Sequence, residues 1–177
     1  MNAADVIRLA TEADLPEFEW SGEFRHFRSL YREVYEGMLR GNAIIWVTER
    51  PGIGVISQLF VQLLSNRIEL ADGSHRAYIY GFRIKPTYRN RGLGTRMILT
   101  VEHDLLMRGF DWTVLNVSKV NQAATRFYRR NGYQIVASED GRWSYLDEAD
   151  TRHYVHEPSW RMEKILKTSQ TVNLSLI

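Results

Sequence analysis

The chain has no cysteine among its 177 residues. That single absence excludes disulfides, thiolate zinc sites, iron–sulfur clusters and a cysteine nucleophile. A long hydrophobic run is also missing. The most apolar stretch, residues 53–64, is interrupted by Gly54, Ser57, Gln58 and Gln62, and is too short and too polar to cross a bilayer. Nor is there an excess of one charge: 23 Lys and Arg oppose 21 Asp and Glu, for a net +2. Neutralising many phosphates requires clustered cations, so neither nucleic acid nor a membrane is expected as a partner. Residues 1–5 offer neither a basic segment nor an apolar one. No signal peptide is therefore expected, and the cytoplasm is the expected compartment.

What is present suffices for a packed core. Hydrophobic residues make up 44% of the chain and aromatics 12%. The length suits one domain, expected over residues 1–166, with residues 167–177 as a C-terminal tail.

The pattern along the chain alternates between strand-like and helical periods. Residues 6–10 read as a first strand, followed by a turn into a helix. Phe24, Phe27, Leu30, Tyr31, Val34 and Met38 recur at helical spacing, and Gly41-Asn42 ends that run. Residues 43–48 and 53–64 form a hairpin about Pro51-Gly52. A long strand over 75–85 stops at Pro86. Leu93, Met97, Ile98, Val101, Leu105 and Leu106 then mark one face of a helix that ends near Gly109. A strand at 112–117, a helix at 121–130 closed by Asn131-Gly132, and strands at 133–137 and 160–166 complete the pattern. Residues 141–158 are expected to be polar and irregular. Hairpins first and βαβ later imply a mixed α/β fold, with helices on the faces of one sheet.

The informative segment joins the 75–85 strand to the following helix through a short basic loop containing Arg89, Arg91, Gly92 and Gly94. A helix N-terminus presents unpaired N–H groups, and glycines let an anion approach them. With Arg96 adding charge at the same corner, the segment reads as a phosphate or pyrophosphate site. No Gly-Lys-Ser/Thr follows, so it is not a Walker loop. Met97 stands where a dinucleotide fingerprint has its third glycine.

Phe-Arg-Ile-Lys-Pro-Thr-Tyr-Arg-Asn-Arg-Gly-Leu-Gly at 82–94 resembles the coenzyme A motif of the GNAT superfamily of acetyl-CoA-dependent N-acyltransferases. Leu115-Asn116-Val117, then Asn121, Ala124, Phe127-Tyr128 and Gly132-Tyr133, resembles the second motif of that family. Residues 7–15 are similar to its opening strand and turn. The resemblance spans residues 6–138. It implies a mixed, mostly antiparallel twisted sheet of about seven strands flanked by about four helices, acetyl-CoA as co-substrate and no metal. Backbone groups of Phe82 and Ile84 would pair with the pantetheine arm. Arg89 and the N–H groups of Asn90, Arg91, Gly92, Leu93, Gly94 and Thr95 would hold the pyrophosphate, and Asn121 would touch the coenzyme. Tyr128 would protonate the departing thiolate. The implied acceptor is an amine. A lone domain without a peptide-recognition module leans toward a small molecule, with a protein N-terminus or lysine as the alternative, and a catalytically idle coenzyme-binding module as another. A homodimer is compatible with such a chain.

Each of these residues also has a structural reading. Asn121 suits an N-cap, Tyr128 a core aromatic, and Gly92 and Gly94 a tight turn. Many family members carry a Glu base in the strand that spans 76–84 here, where no carboxylate occurs. His75, Tyr78, Tyr80, Glu17, Glu19, Glu23, Asp147 and Asp150 remain candidates for the base. Trp20, Phe24, Trp143 and Tyr145 would form the acceptor wall. His153 and His156, with Asp150 and Glu157, also have a weak metal-site spacing, for which a polar loop is the simpler account.

Overall fold

The computed structural model describes residues 4–166; the expected tail at 167–177 lies outside them. Seven strands form the main sheet: β1 (Val6–Leu9), β2 (Ala43–Arg50), β3 (Gly54–Gln62), β4 (Arg76–Ile84), β5 (Trp112–Ser118), β6 (Gln134–Glu139) and a final strand, β9 (Ser159–Ile165). Their order is β1-β2-β3-β4-β5-β9-β6. Only β4 and β5 pair in parallel; the other neighbours are antiparallel. The mixed, mostly antiparallel sheet expected from the sequence is therefore the one present.

Three α-helices cover it: α1 (Arg28–Leu39), α2 (Leu93–Met107) and α3 (Gln122–Arg130). The first helical region is wound as 3-10 turns, Glu12–Gly22 and Arg25–Phe27. Pro16 removes a helical donor there, and Trp20 and Ser21 take positive φ of 48° and 61°, which breaks the winding. Asp14 anchors its start. Its carboxylate accepts from the Thr11 N–H at 2.7 Å and from both ends of the Arg8 guanidinium at 2.8 Å, which holds it below the usual carboxylate range.

Strand alternation divides the core. From β3, Ile56, Leu59 and Val61 face α2, meeting Met97, Ile98, Val101 and Leu105. Val55 and Phe60 face α1, meeting Phe18, Phe27, Tyr31 and Val34. A buried polar group ties α2 to the far side of the sheet. Glu102 accepts from the Tyr133 hydroxyl at 3.0 Å and from Lys164 Nζ at 2.6 Å.

Residues 141–158 are not irregular, contrary to the sequence expectation. They form a hairpin, β7 (Arg142–Leu146) and β8 (Arg152–His156), as a separate two-stranded sheet. Its apolar residues Trp143 and Tyr145 pack on Phe27 from outside the main sheet. Burial here comes from a loop and helix start, so polar composition hid the strand pattern.

Two features of β4 shape the functional end of the sheet. Parallel pairing with β5 runs from Arg76↔Trp112 to Ile79↔Leu115 and stops, although both strands continue. On the other edge, Gln58 pairs with Arg83 and Phe60 with Tyr80. Gly81 and Phe82 thus stand opposite the single residue Leu59, which is a β-bulge. Gly81 has φ +59°, and a Cβ there would lie 2.5 Å from the Phe60 ring. Glycine is needed for both reasons. Gly81→Ala is expected to cost about 2–4 kcal/mol, from overpacking plus left-handed strain. Urea denaturation measures this, and an unchanged midpoint would mean that the bend does not depend on Gly81.

Candidate active site

A cleft of about 770 Å³ opens where β4 and β5 part. Its floor is the end of β4, at Phe82, Arg83 and Ile84; one wall is the loop and first turn of α2, and the other is α3.

The loop wall is built by backbone conformation. Asn90 and Gly92 take φ +59° and +78°. Such alternation turns successive N–H groups toward one side and makes a small anion nest. The first turn of α2 begins with Arg96 N–H bonding the Gly92 carbonyl at 3.1 Å. The N–H groups of Leu93, Gly94 and Thr95 consequently have no helical acceptor. Gly94 is also closely surrounded. A Cβ on it would meet Phe127 ring carbons at 3.2 Å and Ile84 Cδ1 at 3.4 Å.

Of the residues expected from sequence, Phe82, Ile84, Arg89, Asn90, Gly92, Gly94, Thr95, Asn121 and Tyr128 line this one cleft. Arg91 is exposed and does not line it; the Leu93 side chain is buried in the core under α2, so only its backbone is available. Arg126 and Arg130, on α3, line the cleft and were not singled out in the sequence. Their helical spacing with Tyr128 and Phe127 was the available signal. Arg89, Arg126 and Arg130 line the cleft and no carboxylate does, so it favours an anionic guest; Arg83 borders it through β4 but turns its guanidinium to Phe24 and Tyr31 on the opposite face.

Asn121 caps α3, its side-chain oxygen accepting from the Ala124 N–H at 3.0 Å. It both caps the helix and borders the cleft. Tyr128, two turns on, packs edge-on against Phe127 and Tyr133 at 5.1 and 5.6 Å between centroids. Burial, with a smaller contribution from Tyr78, pushes its phenol above the ordinary tyrosine value. It therefore stays protonated at neutral pH. Ile84 offers its carbonyl to Arg89 Nε at 2.8 Å, so the strand-edge acceptor is held by a side chain able to move aside.

Either side of the parting, on the α1 face, Tyr78 and Tyr80 stack at 5.6 Å. Burial raises both phenols, Tyr78 to about 12. Neither is a ready base at neutral pH. His75 lies at the other end of β4, beside Asp111 at 3.4 Å and roughly 30 Å from Ile84 at strand rise. The structure keeps it away from the cleft. Glu17 accepts from the Val55 N–H at 2.7 Å, Glu19 pairs with Arg28 and Asp147 with His153. These carboxylates are already occupied. His156 pairs with a different partner, Asp140, and no group of three metal-ligating side chains comes together among the described residues.

Comparison with known proteins accords with this geometry. The chain is 25% identical over 108 residues to N-alpha-acetyltransferase 50 of Danio rerio, a match covering 60% of this chain and 64% of that protein. It is 31% identical over 70 residues to mycothiol acetyltransferase of Thermobifida fusca, covering 40% of this chain and 22% of that protein. The chain thus spans less than two thirds of either relative. The crystal structure of Arabidopsis thaliana NAA60 in complex with acetyl-CoA superposes with a TM-score of 0.70 at 20% identity, covering 92% of this chain and 99% of that one. The model of the acetyltransferase (GNAT) family matches residues 11–133, and the chain belongs to that family.

Proposed function

We propose that this protein transfers an acetyl group from acetyl-CoA to the primary amine of a small molecule, by direct attack in a ternary complex. The observation that carries the reading is the cleft itself. Free N–H groups, arginines and an uncharged phenol converge at a strand edge that has lost its neighbour.

The residues present fit the co-substrate. The nest at residues 90–95 and the α2 N-terminus suit a pyrophosphate, with Arg89, Arg126 and Arg130 alongside. The edge of β4 past Ile79 is open on the β5 side. An extended amide-bearing arm can lie there like an added strand. Acetyl-CoA supplies the activated thioester. The chain supplies orientation, with backbone N–H groups near Phe82 and Ile84 to stabilise the developing oxyanion. As the C–N bond forms and the C–S bond breaks, Tyr128 gives its proton to the leaving sulfur. The proton lost by the amine passes to solvent, since β4 carries no carboxylate.

A small acceptor is supported by the hairpin. Tyr145 sits 4.7 Å from Phe27 and 5.7 Å from His26, drawing β7 down over the α1 side. The second reading is a peptide N-terminus, favoured by the name of the Danio rerio relative. An acceptor screen separates the two: a kcat/KM for short peptides above that for every free amine would transfer the assignment.

Two outcomes test the coenzyme site and the acid. Acetyl-CoA at about 100 times its dissociation constant is expected to stabilise the fold by about 2.7 kcal/mol, seen as a raised melting temperature. Gly94→Val is expected to abolish that gain, because its side chain fills the gap to Phe127 and Ile84. A folded variant with an undiminished gain would place the anion site elsewhere. Tyr128→Phe keeps the ring and removes the proton. It is expected to lower kcat by about 10²-fold, with acetyl-CoA affinity and melting temperature nearly unchanged. Single-turnover thiol release is the readout, and wild-type rates in that assay would remove Tyr128 from catalysis.

A further inference from the structure

Arg83 occupies a position that coenzyme binding does not account for. On β4 it lies between Phe82 and Ile84, the residues whose backbone flanks the proposed thioester. Strand alternation sends those two neighbours toward α3 and α2, where Phe82 packs against Phe127 at 6.1 Å and Ile84 abuts Gly94. Arg83 goes to the other face. Its guanidinium lies 4.1 Å above the Phe24 ring and 5.1 Å from Phe27, and it donates to the Tyr31 hydroxyl at 3.0 Å. Aromatic faces and one neutral acceptor hold it in place, but no carboxylate neutralises it among the described residues.

The surrounding acids make this more pointed. Glu19 is spent on Arg28, Glu148 on Arg25 and Asp147 on His153. Glu33, near Tyr80 on the exposed face of α1, carries no such partner among the described residues. The acceptor side thus presents one fixed, half-buried cation beside the proposed reacting position. Such a site does not suit a polycation. It suits a molecule carrying its own anion a short distance from the amine, because a charge-assisted, forked contact to guanidinium both binds and orients.

We infer that the acceptor is a small amino acid-type amine whose carboxylate is held by Arg83 while its amine faces the thioester. The inference rests on the acetyltransferase reading and narrows it.

The test uses matched pairs of acceptors, a panel of α- and β-amino acids and their carboxamides, with spermidine as a polycation. Acetyl-CoA consumption and product mass are measured for the wild type and for Arg83→Gln. At least one amino acid is expected to exceed its own amide by about 10- to 100-fold in kcat/KM, the range for a lost charge-assisted hydrogen bond. Arg83→Gln is expected to erase that preference through the acceptor KM, leaving the KM for acetyl-CoA unchanged. Arg83→Lys, which keeps charge without the fork, should recover part of it. Turnover confined to acceptors lacking a carboxylate, absence of turnover with every amino acid, or an equal loss for acid and amide in Arg83→Gln would each overturn the proposal. The stabilisation by acetyl-CoA is measured alongside. If it is present while the pairs show no preference, the acceptor assignment alone fails; if it is absent, the acetyltransferase reading fails first.

Discussion

The parting of β4 from β5 after Ile79 and Leu115 is the constraint on which the rest of the molecule depends. A parallel pair normally hides both edges in hydrogen bonds. Here one edge is released at mid-sheet, where side chains from α2 and α3 reach it from one face and those of α1 from the other. A bulge accompanies the release. Gly81 and Phe82 insert one extra residue against β3 just past the last parallel pair, and such an insertion bends a strand. Phe60 packs directly over Gly81, so the bend is sealed by the core itself.

The two halves of the chemistry are then divided between the faces of one strand. Alternation along β4 gives Phe82 and Ile84 to the anion-binding side and Arg83 to the aromatic side. The proposed reacting position lies at the strand edge between them. This division explains why an almost neutral chain can contain a strongly basic cleft. The carboxylates are consumed elsewhere in pairs such as Arg8–Asp14 and Lys164–Glu102.

Much of this was legible in the residues. The loop at 89–94 and the helix after it announce themselves by glycine and arginine placement, because backbone access to an anion leaves few alternatives. Asn121 is legible as a cap because an asparagine at a helix start accepts from the backbone N–H three residues on. The bulge was harder. Gly81 lies inside an otherwise β-branched and aromatic run, and only the register against β3 shows that it is more than a gap in packing. The 3-10 winding of the first helical region was hidden because its aromatic spacing fits an α-helix, while the break at Trp20 and Ser21 is a tertiary effect. The hairpin β7–β8 was missed because its many charged and polar residues mask the alternation, and apolar Tyr154 and Leu146 fall on its exposed face rather than with Trp143 and Tyr145. Arg83 was invisible as a site residue, since a single arginine in a strand carries no signal until its aromatic neighbours are known.

Among the described residues the hairpin β7–β8 forms no ladder with the main sheet. It is joined to the rest by a few side-chain links, among them Arg25 to Glu148, Ser29 to the Asp147 carbonyl, and Tyr145 on Phe27. The half proposed to bind the coenzyme, by contrast, is fixed by backbone geometry and a shared core. On the proposed reading, substitutions in the hairpin would reshape what approaches the thioester while the fold around the coenzyme kept its own support. Acceptor choice and fold stability would then be set by separate parts of the molecule.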